Sequence, residues 1–372
     1  MPADSPPLPA LIVCDGRVGS LQLAALTLLD RLVVALHRAG CAPIRVVCNG
    51  ERPILKRATA LGVVPEFIDR LVPIDRLTLL ADCSLLVQPA DVKAVIEQKA
   101  RLATASGRLL PLGIVSEFTG DVVHSLASLP TIRATGVTVA VEDTASARAA
   151  AGQLWASLGN STDGFVDTFF NRPVGRFLSK VLVHTPVTPN QITLISMILG
   201  LVAAWFFSRG EHLAGILGAV LLQLSALIDC VDGEVARVSF KESPIGRTLD
   251  FACDQVVHLA VFGALALALS HQNPDGPALA LGLSAVCGTL ISIPIVIRGR
   301  CVAERASDRR LDRFIDQAST RDFTALVIFL AIVDRLSWFL WLTGVTVHVF
   351  WIIALALQLP GRQSRPAKSV NT

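Results

Sequence analysis

Beyond residue 190 the chain carries six apolar segments, at about 190–208, 213–236, 247–270, 277–297, 321–334 and 337–358, most of them near the roughly 20 residues that a helix needs to cross a bilayer. The fifth is the shortest. Residues 1–160 instead mix apolar and charged residues as a globular domain does, so the overall composition of 52% hydrophobic and 17% charged residues averages two regimes. The break between them is a domain boundary. The fold class expected is an N-terminal α/β domain followed by an all-α membrane domain of six transmembrane helices.

Lysine and arginine set the orientation. Arg172, Arg176 and Lys180, then Arg237, Lys241 and Arg247, then seven arginines from Arg298 to Arg321, then Arg362, Arg365 and Lys368 fall on one side of the six segments; Arg209 and Arg335 fall on the other. By the positive-inside rule both termini face the cytoplasm, with Trp205, Trp338 and Trp341 near the outer ends. The opening "MPADSPPLPALIVCDG" has no basic stretch ahead of its apolar residues, so no signal peptide is expected. The expectation is a multi-pass protein of the cell inner membrane with its first domain cytoplasmic. Eight cysteines without C-x-x-C spacing read as reduced thiols. A net charge of +3 and the lack of a basic stripe interleaved with aromatics argue against nucleic acid.

In residues 1–160 the strand-length runs "ALIVC", "IRVVC", "SLLVQ" and "PLGIV" alternate with helical segments at about 21–39, 53–61, 91–105 and 120–128. That alternation predicts a doubly wound, mostly parallel sheet. Ligands of such sheets bind at the strand carboxyl ends, which directs attention to the loop "CDGRVGS". It has Gly16 and Gly19 but neither the glycine pattern of a dinucleotide site nor a P-loop lysine. A juxtamembrane segment, 161–189, links the domains. After Pro173, the residues Val174, Phe177, Leu178, Val181 and Leu182 recur at helical spacing, as in a helix lying in the membrane interface. The membrane domain then runs over 190–360, and a cytoplasmic tail over 361–372.

Four acids interrupt the oil. Asp229 and Asp232 close the second segment and Asp250 and Asp254 open the third. Spacings of i+3 and i+4 put each pair on one helix face, and the short connection makes the two helices antiparallel neighbours. Charge placed there is expensive and marks function. Four converging carboxylates need a cation between them, and hard oxygen ligands suit Mg²⁺ or Mn²⁺, one ion or two. Gly233 and Ala236 leave room for a ligand beside the helix, and Arg237 is a cation of the kind that reads phosphate. The chemistry suggested is transfer at phosphorus.

The run "DCVDGEVAR", eight residues, then "GRTLDFACD" reproduces D-x2-D-G-x2-A-R-x8-G-x3-D-x3-D and resembles the signature of the CDP-alcohol phosphotransferases, membrane enzymes of phospholipid synthesis. The resemblance extends over roughly 160–360. It implies that Asp229, Asp232 and Asp250 ligate two Mg²⁺ or Mn²⁺ ions, with Asp254 completing the metal site as general base. Asp229 and Asp232, with Gly233, Ala236, Arg237 and Gly246, would hold the CDP moiety. The implied reaction passes a phosphoalcohol from a CDP-alcohol donor to an alcohol or alcohol-phosphate acceptor, with membrane lipid on one side of it and release of CMP. A homodimer is also implied.

The first domain resembles the nucleotidyltransferase half of fused enzymes that make their own CDP-headgroup, and "STDGFVDTFFNRPVGRFLSKVLVHTPVTPNQITLIS" is similar to the junction of the inositol-phosphate cytidylyltransferase fusions. The G-x-G-x-R loop followed by Pro-Lys is missing, so a degenerate nucleotidyltransferase-like domain is expected, with Asp91 the residue that could hold a metal there. The alternatives are a bifunctional enzyme whose first domain makes the CDP-alcohol and, from another class, a divalent-cation transporter. Clustering of the acids at one membrane end, away from the midplane, speaks against transport.

Overall fold

The structure is a computed structural model and describes residues 7–358 apart from 71–73, 75, 119, 160–162, 307–308 and 319–320. The tail expected at 361–372 lies outside the described residues. The chain divides into two compact units: Met1–Leu158 with Ala236–Lys241, and Gly159–Val235 with Glu242–Thr372.

The first unit is built on a seven-stranded sheet. Its strands are β1 (Leu8–Asp15), β2 (Cys41–Asn49), β3 (Glu66–Ile68), β4 (Thr78–Asp82), β5 (Arg101–Ala103), β6 (Leu109–Val115) and β7 (Thr131–Arg133), in the order β7-β5-β6-β4-β1-β2-β3. β1 runs parallel to β2 and β4, β3 parallel to β2, and β7 parallel to β5. β6 is antiparallel to both its neighbours. Successive residues of β1 face opposite sides: Ile12 belongs to the core that includes Leu32 and Leu36 of helix α1 (Leu28–Arg38), and Leu11 to a second core with Val47, Leu80 and Val115. Both faces are therefore covered, which is why the strands read as unbroken apolar runs. Helices α2 (Pro89–Gln98) and α3 (Thr144–Ala156) and shorter helices at Lys56–Ala60 and Val122–Ser125 also belong to the unit.

One strand is displaced from its expected place. "SLLVQ" supplies only Leu85–Leu86, paired antiparallel with Val139–Ala140 in a separate ribbon. The sheet strand is β4, "TLLAD". Asp82 ends it, its carboxylate accepting from Ser84 N at 2.8 Å in a tight turn. Two adjacent apolar runs give no periodicity by which to choose the central one.

The second unit is helical: α4 (Arg172–Leu182), α5 (Pro189–Ser208), α6 (His212–Val238, its last turn counted in the first unit), α7 (Pro244–Gln272), α8 (Ala278–Ala306), α9 (Arg309–Ala318), α10 (Phe323–Ile332) and α11 (Leu336–Gln358). Five of these, α5, α6, α7, α8 and α11, are long and apolar enough to cross a membrane. α10 is apolar but only 10 residues long, about half of what a perpendicular crossing takes. The phrase "TPNQ" starts α5 by a reciprocal cap: Thr188 Oγ1 accepts from Gln191 N at 3.3 Å, and Gln191 Oε1 accepts from Thr188 N at 2.9 Å. Ser243 caps α7 by a single bond, accepting from Gly246 N at 2.9 Å. α5 and α7 approach closely at Gly200, where a Cβ would stand 2.6 Å from Val257 Cγ1 and Cγ2.

α4 follows a π-helical turn at Asp167–Asn171. Its apolar residues serve two surfaces. Leu178 and Leu182 pack on Val231, Val235 and Ile192, whereas Val174, Phe177 and Val181 are exposed.

Candidate active site

The antiparallel placement of α6 and α7 brings three of the four expected acids together, without Asp232. Asp229, Asp250 and Asp254 each present a carboxylate oxygen, and the three atoms lie within 4.8 Å of one another. Asp229 and Asp232 are both 6% exposed. Asp232 is engaged from α5, accepting a short hydrogen bond from Thr193 Oγ1. Ser196, one turn further along α5, sets its hydroxyl 3.4 Å from Asp229 Oδ1. The polar face of α5 thus meets the acids of α6.

Arg321, just ahead of α10, pairs its Nη2 with Asp229 Oδ2, and its Nη1 lies 3.5 Å from Cys230 Sγ. The donor set fits a divalent metal on two counts. Three hard oxygen ligands converge, and Asp250 Oδ1 is buried with no hydrogen-bond partner among the described residues. A buried polar atom left without a partner is costly, and a cation at the convergence of the three carboxylates would satisfy it.

Beside the cluster is a small cavity of about 60 Å³ whose wall includes Ser196, Asp229, Asp254, His258, Arg321 and Thr324. The His258 ring meets Phe323 edge-on at 5.7 Å between centroids. Of the residues expected to hold CDP, Gly233 and Ala236 are half-buried on α6. Gly246 lies in the first turn of α7, where a Cβ would come within 3.1 Å of Asn190 Oδ1. Arg237 is half-buried and, with Ala236, falls in the first unit.

Sequence reasoning missed two features of this region. Arg321 has no site role legible in the sequence, because nothing local ties it to the acids more than the other arginines of 298–321. Glu234, inside the signature, is fully buried; its carboxylate accepts from Ser179 Oγ at 2.8 Å and meets Arg172 Nη1 at 3.4 Å. Arg172 also grips Asp163 through Nε at 3.1 Å and Nη2 at 3.0 Å. The signal available was an acid at an apolar position of the signature helix, which requires a partner.

In the first unit, Asp91 has a structural task. Its carboxylate accepts from Thr135 N at 2.7 Å, Thr135 Oγ1 at 2.9 Å, Gly136 N at 3.1 Å and Thr138 Oγ1 at 3.2 Å. Gly16 and Gly19 are likewise used in packing: a Cβ would lie 2.2 Å from Glu51 O at the first and 2.6 Å from Cys14 Sγ at the second.

Comparison with known proteins gives the family. A family model described as CDP-alcohol phosphatidyltransferase matches residues 186–349. An archaetidylinositol phosphate synthase of Pyrococcus horikoshii is 30% identical over 155 residues, which cover 41% of this chain and 73% of the relative. A phosphatidylinositol phosphate synthase of Corynebacterium glutamicum is 37% identical over 110 residues, 30% of this chain and 49% of the relative. A bifunctional IPC transferase and DIPP synthase of Rubrobacter xylanophilus is 32% identical over 176 residues, 47% of this chain and 37% of the relative. This chain belongs to the CDP-alcohol phosphatidyltransferase family. It spans little more than a third of the length of that bifunctional relative.

Proposed function

We propose that the protein transfers a phosphoalcohol group from a CDP-alcohol to an acceptor hydroxyl and releases CMP. The observation that carries this is the convergence of Asp229, Asp250 and Asp254, with the bare buried Oδ1 of Asp250, on the motif of the family. Asp229, Asp232, Asp250 and Asp254 would hold two Mg²⁺ or Mn²⁺ ions, which when bound would supply charge neutralisation at the diphosphate. Asp254, in the cavity wall, takes the proton of the acceptor hydroxyl as general base. The acceptor oxygen forms a bond to the β-phosphorus as the bond between that phosphorus and the oxygen of CMP breaks. Thr193 and Ser196 orient Asp232 and Asp229 from α5, and Arg321 limits repulsion among the acids. Gly233, Ala236, Arg237 and Gly246 receive the cytidine diphosphate.

Two of the relatives described above have an inositol phosphate in their names, and an inositol phosphate is the first acceptor to try, with a CDP-lipid as donor. The protein sits as a homodimer in the cell inner membrane, with six crossings, α10 forming part of the fifth. The first domain and the site face the cytoplasm. α4 lies along the interface, with Val174, Phe177 and Val181, and Phe165, Phe169 and Phe170 ahead of them, exposed to the lipid. The first domain is nucleotidyltransferase-like but inactive, since Asp91 and the two loop glycines are spent on packing.

The test is CMP release by purified protein with Mn²⁺ or Mg²⁺, offering CDP-diacylglycerol and CDP-inositol each with a panel of alcohols and alcohol phosphates. Release with one donor and one acceptor is expected. Silence with every pair, together with no binding of CDP, would refute the reading and return divalent-cation transport to consideration.

A further inference from the structure

Ala236–Lys241, from the middle of the signature, belong to the compact first unit. They close α6 and open the spacer between the two halves of the aspartate motif. Phe240 is 6% exposed and is a member of the first unit's main apolar core. Its φ is +54°, a conformation unfavourable for a bulky residue that persists only where the surroundings over-determine it.

Three arginines of the first domain do that. Arg38 Nη2 donates to Phe240 O at 2.6 Å, and Arg57 donates to the same oxygen through Nη2 at 2.7 Å and Nε at 3.2 Å. Arg31 Nη2 donates to Val238 O at 2.6 Å and its Nε to Leu23 O at 2.9 Å. The Arg38 and Arg31 guanidiniums lie 4.9 and 5.6 Å from the centre of the Phe240 ring, within cation–π reach. Asp30 fixes the Arg57 backbone, accepting from Arg57 N at 2.7 Å and Ala58 N at 2.8 Å. Burial pushes the Arg31 guanidinium down to about 10, and burial and then Arg38 lower that of Arg57. Gathering cations around two main-chain carbonyls is thus unfavourable in itself. By contrast, Glu242, Ser243, Pro244 and Ile245 of the same spacer are exposed.

We propose that Arg31, Arg38 and Arg57, closing on Phe240, form a clamp by which the first domain fixes the spacer and so holds the Asp229–Asp232 segment in register with Asp250 and Asp254. The first domain, inactive as a nucleotidyltransferase, is then a positioning element of the transferase. This rests on the phosphotransferase reading, since register matters only if the acids act as a set; a small misplacement of catalytic groups is known to reduce rates strongly.

The test is the double variant Arg38→Ala/Arg57→Ala in the full chain, two positions outside the deep core, compared with Arg38→Lys/Arg57→Lys. Hydrogen exchange of the amides of 237–243 should accelerate at least about tenfold, as loss of charge-assisted hydrogen bonds allows local opening, while β1 stays protected. Mn²⁺ affinity, read by electron paramagnetic resonance without substrate, should fall about tenfold, as should kcat for CMP release, with KM for the donor little changed; the lysine variant should recover part of each. Unchanged exchange in 237–243 overturns the clamp. Faster exchange with unchanged Mn²⁺ affinity and kcat overturns its positioning role. If wild type releases no CMP from any donor, the phosphotransferase reading fails, and exchange and Mn²⁺ affinity still decide on the clamp.

Discussion

Replacing Arg172 by Met should destabilise the helical unit severely, and the geometry says by how much. Arg172 bridges Asp163 and Glu234, and the side chains of Arg172 and Glu234 are 9% and 1% exposed. Without the guanidinium Glu234 keeps the Ser179 hydroxyl as a hydrogen-bond donor, a neutral group that does not balance its charge. Removing one member of a buried ion pair costs about 3–5 kcal/mol, because the other charge stays buried. Asp163, with 12% of its side chain exposed, can turn to solvent and should add little. Glu234→Gln keeps a hydrogen-bonding group beside Ser179 and should cost only about 1 kcal/mol. In Arg172→Met/Glu234→Met no buried charge remains, so the double variant should be more stable than Arg172→Met alone by about 2 kcal/mol or more. The assay is equilibrium unfolding in mixed micelles, followed by the fluorescence of the tryptophans at 205, 338, 341 and 351. Equal stability of the single and double variants would mean that no charge is stranded, and the reasoning would fail.

Asp254→Asn should lower kcat by about 10²–10⁴ with a much smaller change in CDP-alcohol affinity, as removal of a general base does; single-turnover kinetics would show it. Thr193→Val strips Asp232 of its hydrogen bond from α5 and should reduce transfer about tenfold in the CMP assay, the value of one hydrogen bond to a charged group. Gly200→Val, forced against Val257, should destabilise the unit by about 1–3 kcal/mol through overpacking, visible in the same unfolding assay. Removal of divalent metal by chelation should abolish CMP release, and Mn²⁺ should restore it.

What the sequence revealed and what it hid follow from the reach of each signal. Asp229, Asp232, Asp250 and Asp254 were legible because helical spacing and a short spacer fix their faces locally. The apolar segments announced themselves by length, and "TPNQ" by its cap. Arg321 was not legible: about 90 residues of chain separate it from Asp229, and only the packing of α10 on the bundle brings it there. The same holds for Asp91, whose partners at 135–138 arrive from a different loop. In the first domain the alternation of runs predicted the α/β class and the coverage of both faces, but not the antiparallel β6, since strand direction is not written in apolar runs. Phe240 looked like one apolar residue in a polar spacer; its meaning lies in three arginines more than 180 positions away.

The most direct test of the central claim is CMP release from CDP-diacylglycerol and an inositol phosphate, titrated with Mn²⁺, in wild type and Asp250→Asn. Saturable, Mn²⁺-dependent release by wild type, with the Mn²⁺ requirement raised or release abolished in the variant, is the predicted result. Identical titrations for the two proteins, or release that ignores the metal, would contradict the assignment of these carboxylates.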